Sequence, residues 1–208
     1  MLRTLRTTAA LGLLVGVLAA PAAQAALIEV DLLAGGDGLI TRDTATGLDW
    51  LDLTPTNGIS INAALALSVV ADHGFQVATI AQVGVLFANA GIASSAANAA
   101  DFVPAQTLMG LVGCTRNCSG SYFPESKGHA IWTGTTIRNA LIALNTNSSL
   151  GSANTAGNFP ADPYNTAESS ASASAGTWLV RASPVPEPTS ALLIASGLML
   201  AGAASRRR

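Results

Sequence analysis

The sequence predicts a single α+β domain of antiparallel strands, two short helices and long loops, and three observations carry that prediction. Apolar segments at residues 27–32, 39–41 and 48–53 are short and separated by glycine- and aspartate-rich turns. Residues 61–72 and 79–89 instead repeat their apolar side chains at helical spacing. Two later segments, 129–134 and 176–181, each contain a tryptophan and are separated by polar chain without periodicity.

Taken in order, Leu27 to Leu32 alternates loosely and opens as a strand. Gly35-Gly36-Asp37-Gly38 is a turn, in which Asp-Gly favours a two-residue hairpin connection to a strand at Leu39-Ile40-Thr41. Asp43 to Gly47 makes a second turn. The next strand alternates between Leu48, Trp50 and Asp52 on one face and Asp49, Leu51 and Leu53 on the other, so a period of two leaves open which face is core. Ser60 caps a helix over residues 61–72, with Ile61, Ala64, Leu65, Ser68 and Val69 on one side and Gly74 to end it. Thr79 and Gln82 form a capping box, in which each side chain satisfies an orphan amide of the first turn. Val83, Leu86 and Phe87 then form the apolar stripe of a second helix, stopped at Asn89 and Gly91.

Both ends of the chain read as export signals. Arg3 and Arg6, the apolar run from Ala9 to Ala20, and the small-x-small site Ala23-Gln24-Ala25 are the parts of a secretory signal peptide spanning residues 1–25. At the other end, Pro186-Glu187-Pro188 heads an apolar run from Thr189, and Arg206, Arg207 and Arg208 close the chain. The prolines hold their neighbours extended, which suits a processing enzyme. As a helix the run to Ser205 would span roughly 25 Å, a little short of a hydrocarbon core of roughly 30 Å. Each end places arginines on the cytoplasmic side of an apolar segment, so the body lies across the membrane.

This C-terminal pattern, read on Pro186, Glu187, Pro188, the apolar run and Arg206 to Arg208, resembles the PEP-CTERM sorting signal of exported bacterial proteins. The resemblance implies transient anchoring in the inner membrane by the C-terminal helix, cleavage near the triplet by an exosortase, and release to the cell surface or extracellular matrix. A plain C-terminal anchor on a proline-rich stalk is the bland alternative. The domain layout is then a signal peptide (1–25), an exported α+β domain (26–183) and a sorting signal (184–208), with the Sec translocon, signal peptidase and an exosortase as processing partners.

Charge is re-read once those ends are set aside. The whole chain has a formal net charge of -2, yet between Ala26 and Val185 five basic side chains face eleven acidic ones. An acidic body without a Lys/Arg patch argues against nucleic acid as a partner.

The body also resembles a family. Gly36-Asp37-Gly38-Leu39-Ile40-Thr41-Arg42-Asp43, Thr46-Gly47-Leu48-Asp49-Trp50, Phe75-Gln76-Val77-Ala78-Thr79, His129 to Gly134 and Gly176 to Arg181 follow the order of the Lcl-type domain of unknown function, common in exported bacterial proteins. That resemblance implies a fold akin to C-type lectins and the formylglycine-generating enzyme, a lectin-like mixed domain with long loops. The chain departs from the pattern in an Ala/Ser tract at 93–100 and in the Asn/Ser/Ala-rich span 145–175, both expected as surface loops. The reactive cysteines of the formylglycine-generating relatives have no counterpart here.

Cys114 and Cys118 are an even, closely spaced pair, which after export reads as a local disulfide contributing on the order of 2 kcal/mol at most. Zinc would need further ligands; His73 and His129 are the only histidines, and neither sits in a ligand pattern. Calcium is the remaining cofactor question, because Asp37, Asp43, Asp49 and Asp52 cluster in sequence; turn chemistry explains Asp37 and Asp43 equally well.

Two function classes follow. The first is a non-catalytic surface or matrix protein, with no catalytic residues and no resident cofactor, whose partner is an exopolysaccharide or another biofilm component. Trp50, Trp132 and Trp178 are its stacking surfaces, with core the commoner role for Trp50 and Trp178 and Trp132 the candidate for ligand stacking. The second is a secreted hydrolase acting on a surface polymer through His129 or an acidic pair such as Asp49 and Asp52. Against it, no Gly-x-Ser-x-Gly elbow, phosphate loop or dinucleotide-binding glycine pattern is present.

Overall fold

The computed structural model describes residues 26–92, 99–119, 123–145, 155–159 and 167–184. The expected signal peptide (1–25) and the sorting tail from residue 185 lie outside the described residues, as do 93–98 of the Ala/Ser tract and much of the span 145–175. Strands β1 (Leu27–Val30), β2 (Ile40–Asp43), β3 (Leu48–Leu51), β9 (Leu179–Ala182) and β4 (Gln76–Val77) form an antiparallel sheet in the order β1-β2-β3-β9-β4. A second sheet has the order β7-β6-β5-β8, built from β7 (Thr155–Phe159), β6 (Thr136–Asn145), β5 (Glu125–Thr133) and β8 (Gly176–Thr177). All its pairs are antiparallel except β5 with β8. Helices α1 (Ile61–Leu65), α2 (Ser68–Ala71), α3 (Ile80–Asn89) and α4 (Phe102–Val112) complete the α+β domain. None of them is long and apolar enough to cross a membrane.

The expected fold class is correct, but several elements differ. The helix expected over 61–72 is two: Leu67 adopts an extended backbone (ψ 137°), which ends α1 and turns α2 so that Val70 is buried. Ser60 caps α1 as expected, accepting from the Ala63 amide. Helix α4 is additional. Its Pro104 occupies the first turn, where a missing N–H costs nothing, and Ala105, Leu108, Met109 and Val112 form its buried stripe. Part of the expected loop 145–175 pairs as β7 on β6.

The connection after β1 is not a two-residue hairpin. It runs from Asp31 to Leu39, with Val30 and Ile40 as the last cross-strand pair. The Asp37 carboxylate organises it, accepting hydrogen bonds from the amides of Leu32, Leu33, Ala34 and Leu39. By contrast the capping box of α3 forms as expected, with the Thr79 hydroxyl accepting from the Gln82 amide and the Gln82 side chain accepting from the Thr79 amide.

The segment expected as one closing strand, 176–181, changes sheets at Trp178. Residues before it pair with β5 and residues after it pair with β3 and β4. The indole fills the space so made, fully buried between Trp50 (centroids 6.2 Å apart, edge-on at 86°) and Phe87 (5.8 Å, 75°). Its Nε1–H donates to the Ala140 carbonyl at 2.9 Å. Close approach is possible because the partnered residues Gly128 and Gly176 carry no side chain. A Cβ on Gly128 would lie 2.8 Å from both Leu53 and Trp178, and one on Gly176 would lie 2.5 Å from the Leu53 carbonyl oxygen.

Strand β3 is covered on both sides, which answers the ambiguity of its pattern. Trp50 and Leu53 join the larger core with α3, α4 and β6, through Val83, Leu86, Phe87, Leu108 and Ile142. Leu51 joins a second cluster with Ile40, Val70, Phe75 and Leu179.

Candidate functional site

The three tryptophans divide sharply. Trp50 and Trp178 are core at 1% and 0% exposure, while Trp132 is 43% exposed near the tip of the β5–β6 hairpin. The strand is irregular there: Ile131 pairs with Ile137 and Thr133 with Thr136, so Trp132 sits at a bulge. The guanidinium of Arg138, on the facing strand, lies 4.2 Å from the centre of the Trp132 ring. Thr133 and Thr135 are exposed beside it on the Gly134 turn, where Gly134 takes φ +55°.

His129 is 1% exposed, in a cross-strand row with Asn139 on β6 and Thr177 on β8. Among the described residues neither of its ring nitrogens has a hydrogen-bonding partner, whereas a catalytic histidine of a triad is held by a carboxylate and faces a hydroxyl. Burial first, then the Lys127 ammonium, push its pKa below the usual value. His73 lies just past α2, where its carbonyl accepts from Arg181 Nη1 at 3.3 Å.

Three of the four clustered aspartates are fully engaged with donors. Asp37 holds its turn, and the amides of Leu32, Ala34, Leu33 and Leu39 lower its pKa to about 2. Asp43 accepts from the Ala45 and Thr46 amides and from Asn89 Nδ2 at 2.8 Å. Asp49 is sealed on the face of β3: Oδ1 accepts from Arg42 Nε and Ser183 Oγ, both at 2.7 Å, and Oδ2 from Arg42 Nη2 at 3.1 Å and Arg181 Nη2 at 3.3 Å. A calcium ion would have to compete with those donors for the same oxygen lone pairs.

Asp52 is the exception, since its Oδ1 is shielded from water and has no hydrogen-bond donor among the described residues. Burial, followed by the charges of Glu29 and Asp37, raises its pKa from 3.8 to about 7. The folded protein therefore holds a proton that the unfolded chain releases, and wild-type stability falls as pH rises from about 4 to about 7. Asp52→Asn should gain about 1–2 kcal/mol over wild type at pH 8, a figure reduced from the full shift because the group keeps some contact with water, and almost nothing at pH 4. Urea melts at the two pH values check this; equal gains at both would show that Asp52 is not the titrating group.

Cys114 and Cys118 are joined in a disulfide, with Cα atoms 5.6 Å apart. It closes the turn after α4, where Thr115 Oγ1 accepts from the Lys127 amide at 2.9 Å and Ser126 Oγ donates to the Gly113 carbonyl at 2.7 Å. The sequence singled out Asp49 and Trp132, but not Arg42, Arg181, Ser183 or Arg138 as their partners. Strand register brings those together, and the missed hairpin partner β6 is what carries Arg138.

No protein-family model, curated protein or solved structure matches this chain.

Proposed function

We propose that the chain is an exported, exosortase-processed protein of the cell surface or extracellular matrix, whose body (26–183) has a non-catalytic binding role toward an extracellular polysaccharide. The observation that carries this reading is the Cys114–Cys118 disulfide in a body bracketed by two export signals. Disulfides persist in oxidising spaces and are rare in the cytosol. The side chains named for a hydrolase favour the same reading: among the described residues His129 has no hydrogen-bonded partner, and Asp49 is committed to two arginines. Trp132 is the contact point, an aromatic face left open on a hairpin while the other two tryptophans are spent on the core.

Mass spectrometry of the protein recovered from its native host tests the reading. The expected product begins at Ala26, has lost everything beyond the Pro186-Glu187-Pro188 region, and has its cysteines oxidised. An intact precursor in the cytosol with free thiols would overturn it.

A further inference from the structure

We propose that the β5–β6 hairpin tip binds an acidic polysaccharide, with the face of Trp132 turned away from Arg138 stacking on a sugar ring and the Arg138 guanidinium receiving the carboxylate of a uronate. This deepens the surface-binding reading above and rests on it.

The argument begins with how this chain spends its arginines. Arg42 and Arg181 both reach Asp49, and Arg116 reaches Glu125 at 3.3 Å. Arg138 differs: among the described residues no carboxylate pairs with it, and its Nε–H is shielded without an acceptor. Yet the body carries eleven acidic side chains against five basic ones, so carboxylates to neutralise a merely structural guanidinium were abundant. Among the described residues this cation has no anionic partner and lies instead over the one strongly exposed tryptophan.

That stack fixes what the pair can recognise. The guanidinium set over the indole ring keeps further N–H donors beyond the shielded Nε–H, and two neighbouring donors of such a group can grip a carboxylate through two parallel bonds. The indole supplies a rigid apolar face for the C–H face of a sugar, and the hydroxyls of Thr133 and Thr135 on the turn suit its hydroxyls. An acidic body repels polyanions in general. Capture at this tip therefore depends on short-range pairing with Arg138 and not on a broad basic field.

The test uses the full chain in mild detergent, with polygalacturonate, its methyl-esterified form, dextran and polyphosphate as probes. Polygalacturonate should bind, and Arg138→Gln should weaken it about tenfold or more, as expected for loss of one bidentate ion pair. Methyl esterification should weaken wild type to the same degree and Arg138→Gln hardly further. Trp132→Ala should weaken both polymers, whereas Arg138→Lys should recover only part of the affinity. Melting temperatures close to wild type show that the variants fold. Equal binding of the ester and no effect of Arg138→Gln would overturn the acidic preference while leaving polysaccharide binding intact. Equal binding of polyphosphate would reduce the site to general anion attraction and overturn the proposal. Failure of every polymer would overturn the site itself, while the export reading stands or falls separately on the processed termini.

Discussion

Trp178→Ala is expected to cost about 4 kcal/mol of folding stability, near the upper end for a single side chain. The indole is fully buried, contacts the rings of Trp50 and Phe87 edge-on, and donates to the Ala140 carbonyl. Removing it opens a large cavity where the two sheets meet, and little nearby can collapse into it. The chain crosses between sheets at this residue, so β8 and β9 are both tied to its position. Trp178→Phe should cost less, because an aromatic edge survives, but more than a simple loss of area, because the hydrogen bond to Ala140 goes. Trp132→Ala provides the contrast, giving up only an exposed cation–π contact of about 0.5–1 kcal/mol. Chemical denaturation followed by circular dichroism ranks the three. Equal costs for Trp178→Ala and Trp132→Ala would mean that Trp178 is not the joint between the sheets.

That joint was not legible in the sequence, and the reason is physical. Residues 176–181 read as one strand because their composition is that of one strand; nothing local says that the hydrogen-bonding partner changes in the middle. What could be read were features settled within a few residues. The Thr79–Gln82 capping box, the Ser60 cap and the turn at Asp43 to Gly47 depend on neighbours in sequence and appear as expected. Features that depend on distant partners were read less well. The Asp37-Gly38 pair looked like a tight hairpin, but the Asp37 carboxylate gathers amides from a longer loop. Strand β6 carried an alternation over Ile137, Asn139, Ile142 and Leu144 broken by buried Ala140, and it became clear only beside β5. Helix α4 did carry a signal, the apolar spacing of Ala105, Leu108, Met109 and Val112, masked by Pro104 and the tract before it. For the candidate site, Trp132 could be singled out from the sequence, but its pairing with Arg138 required cross-strand register.

The same dependence on register underlies the second large effect. Asp49→Ala is expected to cost about 3–5 kcal/mol, the range for removing one partner of a buried ion pair. Arg42, Asp49 and Arg181 stand side by side on β2, β3 and β9, and the aspartate side chain has no exposure while the arginines keep 23% and 18%. Burial alone would raise the Asp49 pKa, but hydrogen bonds from Arg42 and Ser183 and the two positive charges outweigh it and hold the group below its usual value. Its stabilising effect is therefore present above about pH 4 and is lost as pH falls through the lowered folded-state value. Deleting the carboxylate leaves two guanidinium groups adjacent, one of them stacked on Phe75, with no anion between them. Asp49→Asn should recover little, since a neutral amide cannot balance either charge. Replacing Arg42, Asp49 and Arg181 together with Met, Leu and Met should cost far less than Asp49→Ala alone, because no charge is then left unpaired. Denaturation at low and high salt completes the comparison. Arg116–Glu125, with the arginine side chain 50% exposed, should be screened and contribute well under about 1 kcal/mol, whereas the Asp49 deficit should persist at high salt. A deficit that vanished with added salt, or a triple variant no more stable than Asp49→Ala, would show that packing and not charge pairing sets the importance of this row.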